Sequence, residues 1–86
     1  MIVQTSYIVS GTTCKGEPFS ERCDFRMEPQ KDGPVYGTGY YMIVKTPFDQ
    51  HLIDVRYEKT TDIGTLARRW IDSYYGKNAK DVKWVE

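Results

Sequence analysis

Apolar residues near the end of the chain recur at a helical period. Ile63, Leu66, Ala67, Trp70, Ile71 and Tyr74 fall at i, i+3, i+4, i+7, i+8 and i+11. That spacing gathers every bulky apolar side chain on one stripe of an α-helix. Thr65, Arg68, Arg69, Asp72 and Ser73 take the opposite side. Thr61 or Asp62 can cap the start, because a short oxygen-bearing side chain accepts from an otherwise unpartnered first-turn N–H. Gly76 can end the helix in the left-handed conformation.

Upstream the period changes to two. Over 21–28, Cys23, Phe25 and Met27 alternate with Arg22, Asp24, Arg26 and Glu28. This predicts a strand with one dry face and one wet face. Over 51–59, Ile53, Val55 and Tyr57 alternate with Asp54, Arg56 and Glu58. The segment 2–10 is weaker, with Val3, Thr5, Tyr7 and Val9 against Gln4, Ser6, Ile8 and Ser10. The segment 40–46 is apolar on both sides, as expected of a strand that is central or covered on both faces. Tyr40, Met42 and Val44 are assigned inward there, Tyr41 and Ile43 outward. The segment 81–86 reads as a short last strand. Gly- and Pro-bearing stretches punctuate the pattern at 11–20, 30–39 and 47–50, and 77–80 links the helix to the last strand.

The resulting order is ββββαβ. Short connections between consecutive strands favour an antiparallel meander. The predicted fold class is α+β: one antiparallel sheet with an amphipathic helix packed on one face, forming a single domain over 1–86. A chain of 86 residues buries about 60–65% of its unfolded surface, enough for one small core. The expected inward set from the strands is Val3, Tyr7, Val9, Cys23, Phe25, Met27, Tyr40, Met42, Val44, Ile53, Val55, Tyr57 and Trp84. It meets Ile63, Leu66, Trp70, Ile71 and Tyr74 of the helix.

Charge narrows the partners. Lys+Arg and Asp+Glu number 12 each, so the formal net charge is zero. Such a chain has no long-range field to draw in nucleic acid or an anionic membrane. No apolar run approaches the ~20 residues that span a bilayer. No basic segment followed by an apolar one marks a secretory leader at the start. Cytoplasmic residence is therefore the expectation, and Cys14 and Cys23 are expected to be free thiols there.

The candidate chemistry is sparse. His51 is the sole histidine, at a turn-to-strand junction where a solvated imidazole is the ordinary case. Two thiols and one distant His fall short of the four ligands of a closed zinc site, so no metal and no cofactor are expected. Cys14 and Cys23 could pair only if the first two strands form a hairpin. A nucleophilic Cys14 beside His51 lacks a third group to orient the imidazole. Gly37-Thr38-Gly39 precedes a strand rather than a helix, the reverse of a phosphate cradle. The acids of the wet face alternate with Arg, which lowers their pKa and disfavours a general-acid role. Those alternating signs are expected to form cross-strand ion pairs.

A non-catalytic binding or interaction protein is the leading expectation, with Tyr36 in the 29–39 loop as a contact residue. A sheet edge offers a second route, by strand addition or homodimerisation. The alternative is a nucleic-acid-associated accessory protein using Arg68, Arg69, Lys77, Lys80 and Lys83. A phage or mobile-element-encoded inhibitor is a further reading of a small neutral domain.

Overall fold

Strand β1 (Val3–Thr12) runs into β2 (Pro18–Pro29), followed by β3 (Tyr40–Lys45), β4 (Gln50–Asp54), helix α1 (Ile63–Tyr75), a 3-10 turn (Gly76–Asn78) and β5 (Ala79–Val85). This is a computed structural model, which describes residues 3–29, 39–60 and 62–85. The five strands form one sheet in the order β4-β3-β2-β1-β5, and every neighbouring pair is antiparallel. The first four strands meander from β1, one strand in from one edge, across the sheet to β4 at the other. The chain then returns through α1 and adds β5 at the first edge, beside β1.

The helix begins and ends by local chemistry. Asp62 accepts from the Gly64 N–H at 3.3 Å and from the Thr65 hydroxyl at 2.6 Å. Gly76 adopts φ 58°, and its N–H donates to the Asp72 carbonyl. A non-glycine residue would resist that left-handed backbone. Ile63, Leu66, Ala67, Ile71 and Tyr75 are the buried helical residues. They face Tyr7, Val9, Cys23, Phe25, Met27, Met42 and Val44, which form the inner surface of the sheet. Tyr40, Met42 and Val44 do point toward the helix side, with Met42 and Val44 fully buried.

Four expectations are corrected. Only 13–17 forms the first turn, not 11–20, because the β1–β2 ladder runs on to Thr12 and Pro18. Backbone pairing sustains a strand there without an apolar side-chain pattern. The fourth strand stops at Asp54 instead of Lys59. The Asp54 carboxylate takes the Arg56 N–H at 3.0 Å and its guanidinium at 2.8 Å, which turns the chain and leaves Tyr57 62% exposed. Tyr74 and Trp84 are also exposed, at 51% and 63%. Tyr75 replaces Tyr74 inside because it continues the stripe one turn beyond Ile71. Trp84 lies opposite Tyr7 on the helix side, at the outer edge past the cover of α1. Finally, the wet-face ion pairs form within strands: Arg22–Asp24 at 3.0 Å and Arg26–Glu28 at 2.9 Å. The cross-strand links are neutral donors instead, Ser6 to Asp24 and Tyr41 to Glu28.

Gly11 is fixed by a close approach. The β1–β5 register shifts between Ser10 and Gly11, and a Cβ at Gly11 would lie 1.8 Å from the Asn78 carbonyl oxygen. Any side chain there would push the 3-10 turn away and disturb the entry of β5.

Trp70 flanks the buried stripe. Its ring meets Phe25 edge-on at 5.7 Å and stacks on Tyr74 at 4.6 Å. Trp70→Ala should cost about 3 kcal/mol, the low end for truncating a buried aromatic, because the ring is only partly enclosed. Thermal unfolding checks this: a melting temperature equal to that of wild type would mean that the ring contributes nothing to the core.

Candidate interaction surface

Of the two thiols, Cys23 is drawn into the core. Cys23 Sγ lies 3.2 Å from the Tyr75 hydroxyl, which donates its one proton to Glu21 at 2.9 Å. The thiol is therefore the donor to the Tyr75 oxygen. Burial above all, and then the Glu21 and Asp24 charges, push the Cys23 pKa up. The Tyr75 phenol is raised first by its burial and then by its contacts with Cys23 and Glu21. A buried thiol held in its protonated form is a packing group rather than a nucleophile.

His51 is not the solvated residue expected at a turn junction. It pairs with Val44 on the helix side of the sheet. Its ring sits 5.4 Å from Trp70 and 5.5 Å from Tyr74, and its Nε2 is buried without a hydrogen-bond partner among the described residues. Sequence parity already carried this signal, since His51 shares the phase of Ile53. Cys14 is exposed in the β1–β2 turn. His51 stands in the row Val44–Phe25–Thr5, and Cys14 lies nine residues along the chain from Thr5. At the rise of a strand that places the two roughly 20 Å or more apart. The geometry does not bring them together. Among the described residues, no three His, Cys, Asp or Glu side chains are grouped to hold a metal ion. No helix there is long and apolar enough to cross a membrane.

The basic residues are distributed over two faces. Arg68 and Arg69 are exposed on α1, and Arg69 pairs with Glu58 at 3.0 Å. Lys77 lies in the 3-10 turn, and Lys80 is exposed near the start of β5. Lys83 pairs with Ile8, on the face away from α1. Arg68, Arg69 and Lys77 thus belong to the helix layer, and Lys83 does not. Tyr36 lies outside the described residues.

A cleft of about 470 Å³ opens where β5 ends, between Trp84, Ser6, Arg22 and Asp24. Its polar groups partner one another. Burial alone would raise the Asp24 carboxyl, but the Ser6 hydroxyl and the Arg22 guanidinium together hold it below the usual carboxylate value. The Trp84 indole N–H is taken by Thr5 at 3.1 Å.

The remaining feature is β4, at one edge of the sheet. Leu52 stands at its centre, 72% exposed, directly beside Ile43 on the open face. Phe48, 80% exposed, lies in the turn before the strand, and the exposed Tyr57 lies in the turn after it. Three of the five large apolar residues exposed among the described residues therefore follow this one edge. The backbone is also presented. The Thr46 N–H donates to the Asp49 carbonyl at 2.8 Å, which makes that pair a hydrogen-bonded one. Alternation along the ladder then aims the N–H and C=O groups of Gln50, Leu52 and Asp54 outward, away from β3. The Gln50 N–H meets the Asp49 carboxylate there at 3.2 Å. The opposite edge, β5, carries Lys80, Asp81 and Lys83, the kind of charges that discourage edge pairing. Sequence reasoning named sheet edges in general but not this one, because Leu52 alone did not stand out until the register placed it on the outermost strand.

Comparison with family models, with curated proteins and with solved structures finds no match to this chain.

Thiol chemistry should separate the two cysteines. Cys14 is expected to label at the rate of an exposed thiol, and Cys23 only as fast as the protein opens. Because the folded Cys23 holds its proton to higher pH than the unfolded one, its share of stability is complete below pH about 9. That share is lost as pH rises through the folded-state value. Denaturant unfolding followed from pH 7 upward checks this, and Cys23→Ala should lessen the alkaline decline.

Proposed function

We propose that this chain is a small non-catalytic binding protein that associates with polypeptide by adding a strand to the free edge of β4. The observation that carries the reading is Leu52. It is a largely exposed leucine at the middle of an edge strand, with unpaired backbone on its outer side among the described residues. Strand addition supplies affinity through main-chain hydrogen bonds, while alternate side chains supply selectivity. Leu52 and Ile43 offer an apolar surface to a strand laid alongside, with Phe48 and Tyr57 at its ends. Zero net charge fits a contact made by shape and backbone rather than by an attracting field.

Extended peptides of alternating apolar and polar residues should shift the amide resonances of 50–54 in the isotope-labelled protein. Leu52→Lys should suppress those shifts while changing stability by less than about 0.5 kcal/mol, as expected for an exposed position. The nucleic-acid reading predicts another pattern. Oligonucleotides would perturb Arg68, Lys77 and Lys80 at ~50 mM salt, and the effect would collapse by ~200 mM. That outcome, with silent 50–54 amides under peptide, would replace the edge reading.

A further inference from the structure

We infer that the strand received by β4 is β4 of a second copy of this chain, related by a two-fold axis through Leu52; the inference rests on the edge-pairing function proposed above. In an antiparallel pair of identical strands the axis stands perpendicular to the sheet, so residues sharing a face meet each other. Three centres lie within the strand's interior. A centre at Ile53 sets Leu52 against the Asp54 carboxylate of the second copy. A centre at His51 sets the two imidazoles against each other and Leu52 against Gln50. A centre at Leu52 sets leucine against leucine on the open face and Gln50 against Asp54, an amide donor facing a carboxylate acceptor. On the helix side it sets His51 against Ile53. This register opposes no like charges.

Backbone geometry agrees with that register. The outward N–H and C=O groups belong to Gln50, Leu52 and Asp54, inferred from the Thr46–Asp49 hydrogen bond and the β3–β4 pairing. The Leu52-centred pairing joins these same residues, Leu52 to Leu52 and Gln50 to Asp54 in both directions. It also places the Phe48 end of one copy beside the Tyr57 end of the other, so both exposed aromatics gain cover. The second edge is a weaker candidate. Pairing β5 on itself would desolvate Lys80, Asp81 and Lys83, whereas β4 carries a single charged residue, at its end. A five-residue strand makes a small contact, below the ~1,200 Å² of durable interfaces, so the association is concentration-dependent.

Sedimentation velocity from ~5 μM to ~500 μM covers the range of weak protein contacts. Wild type should move from monomer toward dimer across it. Leu52→Lys should stay monomeric throughout, since it sets two ammonium groups face to face, and Trp84→Lys on β5 should leave the dimer intact. The register has its own test. A hydrogen-bonded antiparallel pair holds its Cα atoms about 5.5 Å apart, within disulfide reach. Leu52→Cys combined with Cys14→Ser should therefore cross-link into a covalent dimer with oxidised glutathione. A protein monomeric at every concentration would overturn the inference. So would a dimer that survives Leu52→Lys or is lost on Trp84→Lys. If the monomer's 50–54 amides still respond to extended peptides, only the second copy is overturned. If they are silent as well, the edge-pairing function falls with it.

Discussion

The contact of the α1 stripe with β1 and β2 is the interaction on which the rest of this structure depends. Ala67 and Ile71 are fully buried against Val9, Cys23 and Phe25. The same helix carries the chain from the β4 edge across the sheet to the β5 edge. Packing and topology are therefore coupled: without the stripe seated on the sheet, β5 has no reason to arrive beside β1. A chain of 86 residues has one core to spend on this, so no second contact can substitute.

One helix cannot cover five strands evenly, and the structure shows how the shortfall is distributed. On the β3–β4 side, Trp70 and Tyr74 extend the cover as a stacked pair, with His51 beneath them. On the β5 side the cover runs out before Trp84, which is held by a hydrogen bond to Thr5 rather than by packing. The face away from the helix stays compatible with water through ion pairs formed between neighbours on one strand. Pairs of that kind contribute little to stability. Their effect is to keep charge spread across β2, while Ile43 and Leu52 stand side by side on the open face of β3 and β4.

The helix was legible in the sequence almost to the residue, because caps and period agree. Asp62 and Gly76 do at its ends what such residues do in isolation. Strand centres were legible for the same reason: Cys23, Phe25 and Met27 alternate with charges over enough residues to fix a face. Strand ends were not. β1 and β2 extend to Thr12 and Pro18 on backbone pairing alone, and β4 stops at Asp54 although the alternation of apolar residues continues to Tyr57. The continuation is overruled by a local side-chain to backbone bond, which a period-two pattern does not register. Trp84 fails for a different reason. Its parity is inward, but parity gives a face and says nothing about how far the covering helix reaches. The candidate site was the least legible part, since the exposure of Leu52 is a property of strand order and not of its neighbours in the chain.

The distribution of chemistry supports an interaction role more than any single residue does. The buried thiol, its tyrosine partner and the imidazole are arranged around the helix, where each completes packing or a hydrogen bond. Arg22, Arg26, Arg56 and Arg69 are matched by acids. Among the described residues, exposed apolar area and outward-facing backbone coincide at β4. An edge of that kind is a hazard in a protein that must stay alone, and sequences usually blunt it with lysine, proline or a bulge. Here the bulge and the lysines lie at β5. The edge without them is the shorter one, where an exposed leucine sits between two exposed aromatics. An edge left open on one side and guarded on the other is the asymmetry expected of a sheet that pairs through a chosen strand.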